Sequence, residues 1–458
     1  MLNVHKNQIV QIIYCKSAHV EGKFRENVQI TIDDLGVISS IEWHKDFPED
    51  VQIFGHALPG MANVHSHAFQ RAMAGLAEYR VPGKNSFWSW REAMYSLADC
   101  MSPDLLYAIA RQLYVELLKA GYTSIGEFHY VHNSHEGEAA QMAQSVIGAA
   151  QSVGLPMTFL PVLYQTSDFG AMGAEMQQQP FLHRIPAFFR LLDEIRPSLG
   201  KDDNLGIAIH SLRAVPEAPL KEAIARFSSG PIHIHIAEQR KEVEDCIAFT
   251  TKRPVEWLLD TFSIDERWTL IHATHLTKIE CERLAFTGAV AGLCPATEAN
   301  LGDGFFPSKE YMDYGGAWAI GSDSHISTDL REELKQLEYN ERLLKQERCV
   351  LAKEDGHVGE FLYHNAALGG AQSLDQPIGE LKVGKRADLV ILDLTAPQLI
   401  NASYGQILDS FIFTGQACPI DRVMVAGQWR IVDGQHPIEE EVLNEYREAI
   451  KALNERDV

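Results

Sequence analysis

The sequence predicts an α/β fold: a (β/α)8 TIM barrel with a small β-sandwich domain built from both chain ends. Three observations predict it. Eight apolar runs of strand length recur between residues 57 and 324. Segments of helical period lie between them, and continuous apolar strands alternating with helices imply a parallel sheet covered on both faces. The chain ends instead carry short alternating runs joined by turns, as antiparallel strands do. A length of 458 residues accommodates a barrel of about 250 residues plus a smaller unit.

The barrel runs read ALPGMANVHSH (57–67), TSIGEFHY (123–130), MTFLPVLY (157–164), LGIAIHSL (205–212), IHIHIAEQ (232–239), TLIHATHL (269–276), AVAGLCPA (289–296) and AWAIGSDS (317–324). Between the first two, SPDLLYAIARQLYVELLKAG (102–121) reads as a helix with Pro103 in its first turn and Gly121 at its stop. The N-terminal flank predicts strands over 8–14 and 27–43 with a turn at Asp33–Gly36. The C-terminal flank predicts a strand over 388–393, a hairpin over 422–434 and a final amphipathic helix, with Glu439, Glu440 and Glu441 in its first turn, where negative charge is favoured. The expected organisation is therefore 1–56 and 376–440 for the small β domain, 57–375 for the barrel and 441–458 for the closing helix.

Composition narrows the function classes. Hydrophobic residues at 46% and charged residues at 22% fit a globular chain and exclude collagen, coiled coil and disorder. A formal charge of −22 repels phosphate backbones, so nucleic acid is not an expected partner. No run of 18 apolar residues exists to span a bilayer, so no membrane partner is expected either. The opening MLNVHKNQIVQIIYCK reads as a strand and not as a signal peptide. The seven cysteines stand singly, with no Cys-x-x-Cys. That pattern points to a reducing cytoplasm and to cysteines acting as small apolar residues.

The chemistry sits where the apolar runs end. His65 and His67 are two apart, on one face of a strand, and can chelate a metal from one side. Alone the pair is weak evidence. The fifth run adds His233 and His235 followed by Glu238, the sixth His272 and the eighth Asp323. A carboxylate inside an apolar strand is costly unless paired or bound to a cation. Spacing alone leaves His233 and His235 as alternatives.

PGMANVHSHAFQ, HIHIAEQ, LIHATHL and GSDSHIS resemble the amidohydrolase superfamily of metal-dependent barrel hydrolases, and GELKVGKRADLVILD (379–393) resembles the return of its deaminase branch to the small β domain. The longer strings VHSHAFQRAMAGLAE (64–78), CPATEANLGDGFFP (294–307) and GSDSHISTDLREELKQLEYNERL (321–343) are similar to the formimidoylglutamate deiminases of histidine degradation. The resemblance covers nearly the whole chain. It implies a metal on His65, His67, His235 and Asp323, a general acid/base at Glu238, and His272 beside the reacting group, leaving His233 structural. Binuclear relatives place a carboxylated lysine at the end of the fourth run; HSLRAV has none, so one divalent ion is expected, with zinc the default. The resemblance further implies Gln70, Arg91, Tyr130, His210 and Arg213 as contacts for a small substrate with two carboxylates, and a homodimer.

Two other readings compete. A deaminase of guanine or a thioadenosine would want an apolar slot and would not need two carboxylate-binding arginines. A non-catalytic barrel scaffold would be expected to lack ligands that are all present here. Outside the site, His5, His19, His44, His357 and His436 are expected at the surface, and Phe87, Trp88 and Trp90 as core or lid packing.

Overall fold

The computed structural model describes residues 9–76, 78, 87–134, 136–415 and 417–456. Its strands are β1 (Ile9–Val20), β2 (Lys23–Asp33), β3 (Ile38–Trp43), β4 (Ile53–Pro59), β5 (Met61–Ser66), β6 (Tyr122–His129), β7 (Met157–Leu163), β8 (Asn204–Leu205), β9 (Ile207–Ile209), β10 (Ile232–Ile236), β11 (Trp268–His272), β12 (Val290–Leu293), β13 (Ala317–Ile320), β14 (Leu389–Leu392), β15 (Ile420–Val425) and β16 (Gln428–Ile431).

Strands β5, β6, β7, β9, β10, β11, β12 and β13 run side by side and parallel, with the two-residue β8 pairing β7. Their side chains are almost all buried, as both faces of a barrel strand must be. The barrel closes just beyond the last strand, where Ser66 pairs with Asp323 in a parallel bridge. His67 donates its backbone N–H to the Asp323 carbonyl at 3.2 Å, and the Asp323 N–H donates to the His65 carbonyl at 2.9 Å. Gly321 lets these segments meet, because a Cβ there would lie 2.8 Å from the His65 backbone nitrogen. Closure and the candidate metal site thus share the same residues.

Both chain ends contribute to a separate seven-stranded sheet, ordered β16-β15-β14-β4-β1-β2-β3. They join where β14 lies antiparallel to β4. The run 57–67 is accordingly not one strand. Residues up to Pro59 belong to the small sheet, and the chain crosses into the barrel at Gly60, where a side chain would collide with Thr123. Below this crossing, Arg386 pairs with Asp388 at 2.8 Å and also donates to Gln376 at 2.8 Å, so the buried charge is paired and hydrogen-bonded.

Pro103 opens the helix Pro103–Lys119, and Gly121 ends it with φ +96°. The C-terminal helix Glu439–Asn454 packs on it, and Glu441 pairs with the buried Arg111 at 2.8 Å. Two surface expectations fail. His19 is buried edge-on to Phe24 and to His364 of a distant helix, and His436 is buried with Nε2 3.0 Å from the Val153 carbonyl. Neither has a local sequence signal, since what buries each is a distant segment. His44 and His357 are half-buried. His5 and the side chains of Phe87 and Trp88 lie outside the described residues.

Candidate metal centre and substrate pocket

The strand ends bring His65, His67, His235, His272 and Asp323 together. One ligand atom each from His65, His67 and His235 lies within 4.8 Å of the others, and His65, His272 and Asp323 form a second such group. His65 Nε2 faces His235 Nε2 at 3.0 Å, and Asp323 Oδ1 lies 3.4 Å from His65 Nε2 and 3.3 Å from His67 Nε2. His67 Nδ1 hydrogen-bonds the Phe128 carbonyl at 2.9 Å, which assigns the proton to Nδ1 and leaves the Nε2 lone pair facing the cluster.

Burial, reinforced by the neighbouring rings, pushes the pKa of His65 and His235 well below the usual histidine value, so both are neutral. Buried neutral imidazoles with their nitrogens converged beside a carboxylate are the donor set of a divalent metal site. The residues present fit such an ion. His233 stands one layer deeper on β10, bonded through Nε2 to the Ser373 carbonyl at 3.0 Å, and is not part of this convergence.

The backbone is strained here. His272, Ala273, Ala237 and Asp323 have φ of +65°, +47°, +52° and +45°, a left-handed region costly for residues with a Cβ. Closure and the ladder hold them there; His272, for example, ends β11 in register with Ile236.

Glu238 follows β10 and places Oε1 3.8 Å from His272 Nε2. Burial raises its pKa to about 7, with His272 opposing and Asp323 adding to the shift. Burial pushes His272 down, but Glu238, Glu298 and Asp323 outweigh it and raise it to about 10; a cation at the cluster would oppose that rise. Glu298 approaches His272 Nδ1 at 3.4 Å while accepting the Cys294 N–H at 2.9 Å. Glu242 accepts the N–H groups of Ala237 at 3.0 Å and Glu238 at 3.1 Å, fixing the turn that carries Glu238.

A pocket opens on this cluster. His67, His235, Asp323, Glu238 and His272 line one part of it. Gln70, Arg91, Tyr130, His210 and Arg213 line the rest, so every expected substrate contact reaches the same cavity. Gln70 donates to the Tyr130 hydroxyl at 2.7 Å and keeps a buried amide oxygen without a described partner. Arg91 lies over the ring of Tyr95, its centroid 5.3 Å away.

Sequence reasoning did not single out Tyr95, Tyr164, Ser211, Glu242 or Glu298. Signals existed for some of them. Tyr95 follows Arg91 by four on one helix, Tyr164 is the polar end of an apolar run, and Glu298 sits in a quoted motif without an assigned role. Trp90, expected as packing, also lines the pocket.

Comparisons with known proteins identify the family. The amidohydrolase family model matches residues 56–430. The formimidoylglutamate deiminase of Pseudomonas aeruginosa is 44% identical over 93% of this chain and 96% of its own. A crystal structure of an amidohydrolase from Brucella melitensis superposes with a TM-score of 0.92 at 42% identity, covering 97% of this chain and 100% of that one. A 5-methylthioadenosine/S-adenosylhomocysteine deaminase of Thermodesulfovibrio yellowstonii is 24% identical over 94% of each chain. The chain belongs to the amidohydrolase family.

Proposed function

We propose that this chain is a zinc-dependent deiminase that hydrolyses N-formimino-L-glutamate to N-formyl-L-glutamate and ammonia, a step of histidine breakdown. The 44% identity to a formimidoylglutamate deiminase over almost the full length of both chains supports the activity. The observation that carries it is the joining, in one cavity, of a cluster of neutral histidines and Asp323 with two arginines. A linear amidine bearing two carboxylates needs both halves. Guanidinium matches a carboxylate with two parallel hydrogen bonds.

His65, His67, His235 and Asp323 would hold one ion per chain, and zinc suits three imidazoles and a carboxylate. When bound, such an ion supplies an electrophile and makes water acidic near neutral pH. Glu238 takes a proton from the attacking water and returns it to the terminal nitrogen, which leaves as ammonia. Burial pushes the Glu238 carboxyl above its ordinary range, toward a group that can both accept and give a proton, while a cation at the cluster would oppose that rise. His272 faces the charge that develops on the substrate, positioned by Glu298. Gln70 and Tyr130 meet the formimino end, and Arg91, Arg213 and His210 the glutamate end. No lysine follows β9, where the chain continues His210-Ser211-Leu212-Arg213, which supports a single metal.

The proposal includes a cytoplasmic homodimer. The seven free cysteines support the compartment, and the family resemblance alone supports the dimer. The test is ammonia release from N-formimino-L-glutamate, measured beside guanine and 5-methylthioadenosine with metal content determined on the same sample. Turnover of a purine in preference to the formimino acid overturns the reading, as does a protein that carries no stoichiometric metal.

A further inference from the structure

The far end of the pocket is built by a group the proposed reaction has not used. Tyr95 and Tyr164 line the cavity, and Gln178, buried behind them, donates from its amide nitrogen to Tyr164 at 2.8 Å and to Tyr95 at 3.4 Å. The orientation of that amide is fixed independently, because its oxygen accepts the Glu175 N–H at 2.8 Å at the start of the turn Met176–Phe181. A reversed amide would set its NH2 against that N–H.

A phenol oxygen that accepts from an amide keeps its own proton to give elsewhere. Among the described residues, no side chain or carbonyl accepts from either hydroxyl. Arg91 lies over the ring of Tyr95 at this end of the cavity, and Arg213 lines the same cavity. That end lies away from the metal ligands. Ring contacts step from His67 to Tyr130 at 4.7 Å, Tyr130 to Phe181 at 5.1 Å and Phe181 to Tyr95 at 5.4 Å, and from His235 to His210 at 5.3 Å and His210 to Tyr164 at 4.4 Å. Glu242, an acceptor in the wall, is fixed by the Ala237 and Glu238 amides and offsets part of the charge on Arg213.

We infer that Gln178 is a positioning residue that sets the Tyr95 and Tyr164 hydroxyls as donors toward the pocket, where with Arg91 and Arg213 they select a carboxylate on the substrate. This rests on the proposed function for the identity of the substrate, but not for the chemistry of the site. Carboxylates accept from every one of these groups. An ammonium or an uncharged amide oxygen gains far less from two cations and two hydroxyls.

Two variants test it on the zinc-loaded enzyme. Tyr95→Phe combined with Tyr164→Phe removes only the hydroxyls and keeps the rings. Gln178→Glu keeps the size and the bond from Glu175 but accepts from the phenols, drawing their protons away from the pocket. Both should raise KM for N-formimino-L-glutamate by roughly tenfold or more, the scale of lost hydrogen bonds to a charged group, with kcat within about threefold and zinc content unchanged. An N-formimino alkylamine, which lacks carboxylates, should be handled alike by wild type and variants. Calorimetric binding of L-glutamate should weaken in parallel with KM. If KM for the glutamate compound stays within twofold, or rises equally for the alkylamine, the inference is overturned. A wild type that binds L-glutamate through these hydroxyls yet releases no ammonia from its formimino derivative would sink the proposed reaction and leave the inference supported.

Discussion

The proposed metal cluster and the proposed carboxylate end of the same pocket draw largely on different kinds of chain. His65, His67, His235 and Asp323 stand at or just beyond the ends of β5, β10 and β13, where ladder hydrogen bonds fix the backbone and barrel closure runs through His65, His67 and Asp323 themselves. Arg91 and Tyr95 come from the helix Phe87–Asp99, Gln178 from a short turn and Arg213 from the segment after β9, whereas Tyr164 and His210 directly follow β7 and β9. On the proposed reading, the barrel strands carry the reacting groups, while the excursions between them supply most of the groups that select the substrate. Variants in the two regions should consequently fail in different measurements.

The largest effect is expected at the cluster. His235→Ala should lose bound metal and turnover together, because removing one of three converged imidazoles leaves a buried, incomplete donor set. Chelation of the wild type should lower its thermal midpoint. A ligand that binds only the folded state contributes about 4 kcal/mol at a thousandfold excess over Kd. Stoichiometric zinc in His235→Ala would remove the distinction between the two regions.

These two regions also differ in how much of them the sequence displays. A strand end announces itself: an apolar run fixes the element, and His or Asp at its close is conspicuous because burying it is costly. Eight runs, the helix between Pro103 and Gly121 and the residues around the cluster were legible for that reason. Gln178 and Tyr95 were not, since a glutamine in a turn and a tyrosine in a helix look like ordinary packing until the fold sets them against each other. Arg91 and Arg213 came from resemblance, as a lone arginine reads as a solvated face. The split at Gly60 was hidden because ALP and MANV are equally apolar; only pairing with β14 assigns the first of them to the small sheet. His19 and His436 were misplaced for the same cause, since distant segments bury them.

Glu238→Gln should come next. It keeps shape and cannot carry the proton, so kcat should fall by about 100- to 10,000-fold, and toward the upper end because one group serves two transfers. Metal content should be unchanged. Loss of zinc in this variant would move Glu238 into the ligand set, and near-normal turnover would pass its role to His272.

At the other end of the pocket, Arg213→Met and Arg91→Met should retain metal and lower kcat/KM chiefly through KM. Removing one partner of a desolvated charge pair costs roughly 2–5 kcal/mol, which is about 30- to several-thousand-fold. Tyr164 and Tyr95 remain in place in both variants, so each should keep part of its preference for a carboxylate. Losses below a few-fold in both would mean that the carboxylates bind elsewhere.

The smallest effect on catalysis is expected two residues from the largest. His233 and His235 share β10 and point to the same side of it, yet one layer separates them. His233 spends Nε2 on the Ser373 carbonyl at 3.0 Å, on the helix Val358–Leu374, and is not among the converged ligand groups. His233→Leu leaves that carbonyl without its buried partner, a loss of roughly 1–3 kcal/mol, so the thermal midpoint should fall. Zinc content should not change, and kcat/KM should stay within about threefold, since the strand ladder and not this side chain positions His235. The pair His233→Leu and His235→Ala thus separates stability from chemistry along one strand. If His233→Leu lost its metal while His235→Ala kept it, the assignment along β10 would be reversed, and the layer of the barrel that holds the ion would lie one step deeper than the geometry places it.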